Sequence, residues 1–482
     1  MAALLIVLTL GAALRLAFFP RAPVLVHGDS YQYYRPAAAL LTGDGFPLPL
    51  KRPPLYPAFV AVVGWGLGED MRRLAAVQHL LGLGTAALTY GIGRLTFGRR
   101  VGLLAGLAAA LSGGLLVYEH YILTEALFAV LVALAVFLLL LGLRRDSLWL
   151  CASSGLVIGL AALTRVHAQI LLLAPLLAAL LCRRWCPIVR GTLVAGLAAA
   201  VMLVPWMTRN YVVHGDLTVA ARSGQSLIYL TLVHHPGQFV FYDRANPPED
   251  ADPKLEQARK FIQERADEKA ENPSANILGI TIHAWLMENL ELSEAEANAI
   301  MRDVALDAIM ARPLTYARVV LEEARKIFAD SPEALAYHWR AHHQELRDNP
   351  PPKRLRPLIG PASPEQEQGF AFTEQLVDLY QSARFGPLVP VLFLVGLLAG
   401  AVVPAWRPAL VPALTVLVLH AVTLAVVGFG SRYRQPVEPL THVVALGGLL
   451  FIGQLIGSLA GRIRRPAASR IARSEEAGFA PP

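Results

Sequence analysis

The constraint that decides what this chain can become is a succession of long apolar runs joined by short connections that carry arginine. A membrane-crossing helix needs about 20 mostly apolar residues. Runs of that kind lie near 2–20, 72–95, 101–118, 122–143, 148–164, 167–182, 189–207, 386–404, 408–428 and 437–460 of the 482 residues. Only 16% of the residues are charged and 55% are hydrophobic, whereas a soluble domain carries about 25% charged residues. The chain therefore reads as an all-α polytopic membrane protein with ten expected transmembrane helices. Its first run, "MAALLIVLTLGAALRLAFF", has no basic leader and no small-residue cleavage site, so it reads as a retained helix. Arg15, late in that helix, is expected to snorkel outward.

The basic residues set the orientation. "FGRR" (97–100), "LRRDS" (143–147), "CRRWCPIVR" (182–190) and "AWRP" (405–408) fall on one side, together with the tail "GRIRRPAASRIAR". All carry arginine, which marks that side as cytoplasmic and puts the N-terminus inside. The net charge of +7 is spread over these clusters rather than gathered into an aromatic-laced patch, so nucleic acid is not an expected partner. Cys151, Cys182 and Cys186 lie in or between apolar segments and form no disulfide framework; Cys182 and Cys186 alone are a poor metal signal. There is no GxGxxG fingerprint, no Walker A motif and no internal repeat, which argues against an ATP-driven machine.

The outer side receives 26–70, the turn "YEHYILTE" (118–125), "TRVHA" (164–168), a long insert and "GSRYRQPVEP" (430–439). The run "PPLYPAFVAVVGWGLG" (53–68) is broken by Pro and Gly and reads as re-entrant or interfacial. In the insert, Ser293 with Glu296 forms the pattern of a capping box, and "DNPPPKRLRPLIGPASPEQEQG" (348–369) reads as irregular. The expected division is an N-terminal membrane module (1–207), a mostly helical outer insert (208–385), C-terminal membrane helices (386–460) and a basic cytoplasmic tail (461–482).

The candidate chemistry collects at the outer helix ends. Asp29 follows the first helix, Glu125 opens the fourth, Arg165 and His167 sit between the fifth and sixth, and Arg432 and Arg434 precede the last. Lys51 and Arg52 stand before the interfacial run. Arginine binds phosphate bidentately, and a carboxylate can take a proton from an acceptor hydroxyl. Each residue also has a plain reading. Asp29 is a solvated loop acid or a helix cap, Glu125 an acid favoured by the helix dipole, and Arg432 and Arg434 headgroup anchors. His27 and His120 flank the two acids as metal ligands or as solvated histidines, and Tyr31, Tyr33 and Tyr34 are interfacial aromatics or a sugar platform. Trp65 and Trp206 read as belt residues.

Several motifs in order, "GDSYQYY", "RPPLYPAF", "HYILTEA", "ALTR", "PWMTRN", "AIMARPLTY" and "RYRQPVEP", resemble the GT-C superfamily of integral-membrane glycosyltransferases. The likeness is to the family 39 and 83 branch, which includes protein O-mannosyltransferases and the lipid A aminoarabinose transferase. It spans about 1–210 and 386–460. It implies a GT-C-type fold with juxtamembrane helices in the first outer loop. It also implies a polyprenyl-phosphate sugar donor and inverting transfer to a lipid, glycan or protein acceptor outside a bacterial inner membrane.

On this resemblance Asp29 takes the place of the catalytic carboxylate, with Arg52, Arg432, Arg165 and Lys51 as donor-phosphate cations. Glu125 would orient the acceptor, hold a basic side chain or, with Asp29, help bind a divalent cation. His27, Tyr33, Tyr34, Tyr56, His120 and Tyr433 would line the substrate site. Ser30 replaces a second carboxylate found in some relatives, and Pro36 is expected to open a juxtamembrane helix. Two other classes stay open: a transporter or flippase of lipid-linked sugars, and an O-antigen ligase or polymerase. The first sits poorly with helix interiors that read as nearly free of charge and with the lack of a mirrored half.

Overall fold

The computed structural model describes residues 2–20, 24, 29–68, 70–182, 185–243, 252–275, 277, 279–329, 388–428 and 431–463. Among them the chain is helical and contains no strand. His27, the Pro-rich stretch 348–369 and the tail beyond 463 lie outside the described residues.

The apolar runs become helices α1 (Ala2–Phe18), α2 (Ser30–Thr42), α3 (Leu55–Leu67), α4 (Met71–Thr96), α5 (Arg99–Ala110), α6 (Gly113–Tyr118), α7 (Glu125–Arg145), α8 (Leu148–Ala162), α9 (Leu173–Cys182) and α10 (Trp185–His214). The expected helix over 101–118 is broken. α5 stops at Ala110, and Ser112 caps α6 by accepting from the Leu115 amide at 3.3 Å. The expected helix from 167 starts as a 3-10 turn, Val166–Leu172, before α9. The insert supplies α11 (Ser223–Ile228), α12 (Pro253–Glu271), α13 (Gly279–Asn289), α14 (Glu294–Ala311) and α15 (Pro313–Ala329). Three helices follow: α16 (Leu388–Val402), α17 (Leu410–Val426) and α18 (Glu438–Ile463).

Four helices are long and apolar enough to cross a membrane: Glu125–Arg145, Pro187–His214, Pro404–Val426 and Arg432–Leu459. The first of these is the central strut. Its apolar window is 67% buried, against 22% for Pro187–His214, whose Leu193, Leu197 and Val201 face outward. Ser154 of α8 donates to the carbonyl of Ala135 on α7 at 2.8 Å, an interhelical bond of the kind apolar surroundings favour. α3 has 13 residues, about 20 Å at 1.5 Å per residue and short of the ~30 Å hydrocarbon layer. It packs on α2 and α4 and leaves Trp65 exposed.

α2 departs from expectation. It starts at Ser30 rather than at Pro36, which lies buried inside it. A proline there removes one amide donor, and the packing of Tyr33, Pro36 and Ala37 holds the helix regardless. The earlier start makes Asp29 the N-cap residue.

α4 is long enough to span but carries Gln78 and His79 on an inward face. These side chains enter a buried polar network that contradicts two expectations. Arg15 does not snorkel; it is buried, donating to Glu119 from Nη2 to Oε1 at 2.5 Å and from Nε to Oε2 at 3.0 Å. Its Nη1 reaches the Ala110 carbonyl at 2.9 Å. The helix interior is likewise not free of charge. A bidentate carboxylate partner inside the bundle outcompetes the headgroup region for the guanidinium. His79 Nδ1 contacts the same carboxylate, and its Nε2 lies 2.8 Å from His120 Nε2. A Cβ at Gly82 would stand 1.7 Å from Glu119 Oε1, so only glycine lets the acid seat here.

The network also fixes the turn between α6 and α7. Gln78 Nε2 donates to the carbonyls of Glu119 (2.8 Å) and Tyr121 (2.9 Å), while its Oε1 accepts from Tyr56 at 3.0 Å. The turn that delivers Thr124 and Glu125 is thus set from below.

The insert has its own apolar core, with Ile228, Ile262, Leu286, Met301 and Val304 at its centre. The Ser293–Glu296 capping box forms at the start of α14.

Breaking a buried ion pair from one side costs roughly 3–5 kcal/mol, whereas replacing both partners with apolar groups costs far less. Glu119→Ala alone should therefore lower the thermal unfolding midpoint in detergent markedly, and Arg15→Met/Glu119→Met should recover most of the loss. Equal midpoints for the single and double variants would contradict a buried pair.

Candidate active site

One cavity of about 300 Å³ lies where the α6–α7 turn, the loop before α3, α11 and the residues before α18 converge. The loop is held in place by backbone bonds: Leu55 N donates to Leu163 O at 2.9 Å and Ala221 N to Leu50 O at 3.0 Å. It presents Lys51 and Arg52 to the cavity. The extended backbone of Arg165 between α8 and the 3-10 turn presents its guanidinium from another wall. A short turn, Ser431–Arg434, brings Arg432 and Tyr433.

Asp29 bridges two of these cations. Arg52 Nη2 donates to Oδ1 at 2.5 Å and Arg432 Nη1 to Oδ2 at 2.8 Å. As the N-cap residue of α2 its carboxylate would ordinarily accept from the helix amides, yet it makes no such bond. The acid is turned away from its own helix toward two guanidinium groups. Arg52 is further oriented by Gln32 Oε1 (2.8 Å) and the Tyr33 hydroxyl (3.0 Å), and Arg432 by the Tyr433 hydroxyl (3.0 Å).

Glu125 sits in the first turn of α7 and is fully buried. Its Oε1 accepts from Arg165 Nη2 at 2.5 Å, while Arg165 Nε donates to Thr124 Oγ1 at 2.7 Å. The other oxygen, Oε2, is buried with no hydrogen-bond partner among the described residues. A buried acceptor left open beside a cavity has chemical use, because a hydroxyl placed there would satisfy it.

Of the residues singled out from the sequence, Lys51, Arg52, Glu125, Arg165, His167, Arg432, Tyr33 and Tyr433 line this cavity, and Asp29 is bonded to two of them. Tyr56 and His120 do not line it; both are buried in the network beneath, against Gln78 and His79. Tyr34 is half-buried and also does not line the cavity. Sequence reasoning missed Arg222, Ser223 and Ser226 from α11 and its approach, and Thr124 and Thr164. Arg222 lies in a charge-rich insert where one arginine has no distinguishing pattern.

The set is strongly cationic: Lys51, Arg52, Arg165, Arg222 and Arg432 face only Asp29 and Glu125. Burial, then the charges of Arg52 and Arg222, pushes the Lys51 ammonium below its ordinary pKa. Burial, then Arg52, does the same to Arg222. Such a crowd of cations is relieved by an anion. The opposite wall, with Leu123, Val166, Val422, Val426 and Val427, is apolar. A divalent cation fits the acids poorly. Both oxygens of Asp29 and one of Glu125 hold arginines, and no group of three His, Cys, Asp or Glu among the described residues could hold a metal.

Residues 51–208 match the family model of dolichyl-phosphate-mannose-protein mannosyltransferase. No curated protein matches the chain. Among solved structures, ArnT from Cupriavidus metallidurans bound to undecaprenyl phosphate is 14% identical with a TM-score of 0.39, over 91% of this chain and 77% of that one. The archaeal oligosaccharyltransferase AglB from Archaeoglobus fulgidus, in complex with an inhibitory peptide and a dolichol-phosphate, is 14% identical with a TM-score of 0.45, over 96% and 51%. Likeness at that level does not transfer residues or ligands. The family match does cover the segment that supplies Lys51, Arg52, Glu125 and Arg165 to the cavity. This multi-pass membrane chain is a member of the GT-C superfamily of glycosyltransferases.

Proposed function

We propose that the protein moves a sugar from a polyprenyl-phosphate donor to a hydroxyl of a lipid, glycan or protein acceptor, with inversion, at the extracytoplasmic face of a bacterial inner membrane. The observation that carries this reading is the Arg52–Asp29–Arg432 bridge beside a cavity with three further cations and one apolar wall. The apolar wall suits a prenyl chain, and the cations suit its phosphate.

In the reaction the acceptor oxygen forms a bond to the anomeric carbon as the bond from that carbon to the phosphate oxygen breaks. The leaving polyprenyl phosphate gains negative charge, which prepositioned guanidinium groups stabilise without help from a general acid. The hydroxyl proton goes to Asp29. In the unliganded protein both Asp29 oxygens are engaged by arginines, so the carboxylate becomes available as the arriving phosphate draws Arg432 or Arg52 toward itself. Glu125, through its open oxygen, accepts a hydrogen bond from the acceptor and orients it. The membrane module 1–207 supplies most of this chemistry, while the insert 208–385 and the C-terminal helices 386–460 close the site over it.

Transfer from a radiolabelled polyprenyl-phosphate sugar in proteoliposomes tests the assignment. Asp29→Asn should lose roughly 10²–10⁴-fold in rate, the usual contribution of a general base, while still binding undecaprenyl phosphate. Undiminished transfer by the folded variant would remove Asp29 from the mechanism.

The proposed orientation has a separate check. In a background without the native cysteines, a cysteine replacing Asp216, after α10, should react with an impermeant maleimide from the outside. One replacing Asp146, after α7, should react only once the membrane is opened. Labelling of both from one side would overturn the topology.

A further inference from the structure

The insert reaches the cation-bearing loop through one side chain. Glu294, the first residue of α14, accepts from two consecutive backbone amides, Leu50 N to Oε2 at 2.9 Å and Lys51 N to Oε1 at 3.3 Å. Those residues immediately precede Arg52, and Lys51 and Arg52 both face the cavity. The capping box made by Ser293 and Glu296 fixes the first turn of α14, and with it the position from which Glu294 projects.

A second set of contacts joins the same helix to the other cation. Asn298, one turn along α14, accepts from the Gly224 amide at 3.1 Å, two residues beyond Arg222. A Cβ at Gly224 would stand 2.1 Å from the Asn298 carbonyl, so the two backbones meet at a distance that only glycine allows. Ala221 N in turn donates to Leu50 O at 3.0 Å, tying the two loops to each other.

We infer that Glu294 is a positioning residue for donor binding. By gripping the Leu50 and Lys51 amides from α14, it holds Lys51 and Arg52 in register with Arg222 around the anion. The insert thereby acts as the frame of the phosphate site, and this role rests on the polyprenyl-phosphate reading above. A carboxylate accepting two amides binds more strongly than a neutral group. The Glu294 charge also favours the ammonium form of Lys51. Its removal should therefore loosen the loop and weaken the site's hold on phosphate, leaving the reacting groups in place.

The test compares wild type with Glu294→Gln and Glu294→Ala in nanodiscs, with undecaprenyl phosphate as the probe. Affinity should fall about tenfold, the effect of losing one charge-assisted hydrogen-bonded contact. In transfer assays the donor KM should rise by a similar factor while kcat changes little. A purely structural residue would lower stability or kcat without that split. Hydrogen exchange at the Leu50 and Lys51 amides should accelerate in both variants whether or not the probe binds. Unchanged exchange, or unchanged affinity in variants of a wild type that binds the probe, would overturn the positioning role. A wild type that does not bind undecaprenyl phosphate, with exchange still accelerated in the variants, would instead overturn the donor reading.

Discussion

The bridge from Arg52 through Asp29 to Arg432 is the contact on which the site depends. It joins residues 403 positions apart in sequence and closes the N-terminal helices against the last one. Burying charge costs several kcal/mol per ion unless each group is well paired. Here both carboxylate oxygens and both arginines find partners, with Gln32, Tyr33 and Tyr433 taking further donors. The arrangement forgoes the capping bond that Asp29 could have given α2. A local stabilisation is given up for a long-range one, which is the pattern expected of a residue kept for chemistry.

From that bridge outward, the rest of the molecule is support. The Gln78–Glu119–Arg15 network fixes the turn that carries Glu125, and the backbone bonds of Leu50 and Leu55 fix the loop that carries Lys51 and Arg52. Positive charge then exceeds negative around the cavity. The bridge consequently sits between two demands, with Asp29 and an incoming phosphate competing for the same guanidinium groups. A base engaged by the phosphate-binding residues until the phosphate arrives is protected from idle protonation and is released when it is needed.

Much of the helical layout was legible because apolar runs of spanning length leave little choice. The ten expected segments all coincide with helices, and four meet the length and apolarity of a span. What escaped was set by tertiary partners. Arg15 looked like a residue that snorkels because Glu119, its counter-ion, is 104 positions away and reads locally as a loop acid. Pro36 looked like a helix start because proline prefers that place, and packing against neighbouring helices overrode the preference. The cavity residues near helix ends were readable from sidedness, since loops on one face must share one site. Arg222, Glu294 and Asn298 were not readable, because their significance comes from the way the insert folds back over the first loop. Tyr56 and His120 lie close to site residues in sequence, yet their side chains turn into the bundle.

A structure of the protein with undecaprenyl phosphate bound tests the central claim most directly, through the distance between Arg432 Nη1 and Asp29 Oδ2. The account predicts that the phosphate sits among Lys51, Arg52, Arg222 and Arg432, with one guanidinium moved from Asp29 onto it and the 2.8 Å contact of the unliganded protein lost. A phosphate bound elsewhere, or bound in this cavity with both arginines still on Asp29, would contradict it.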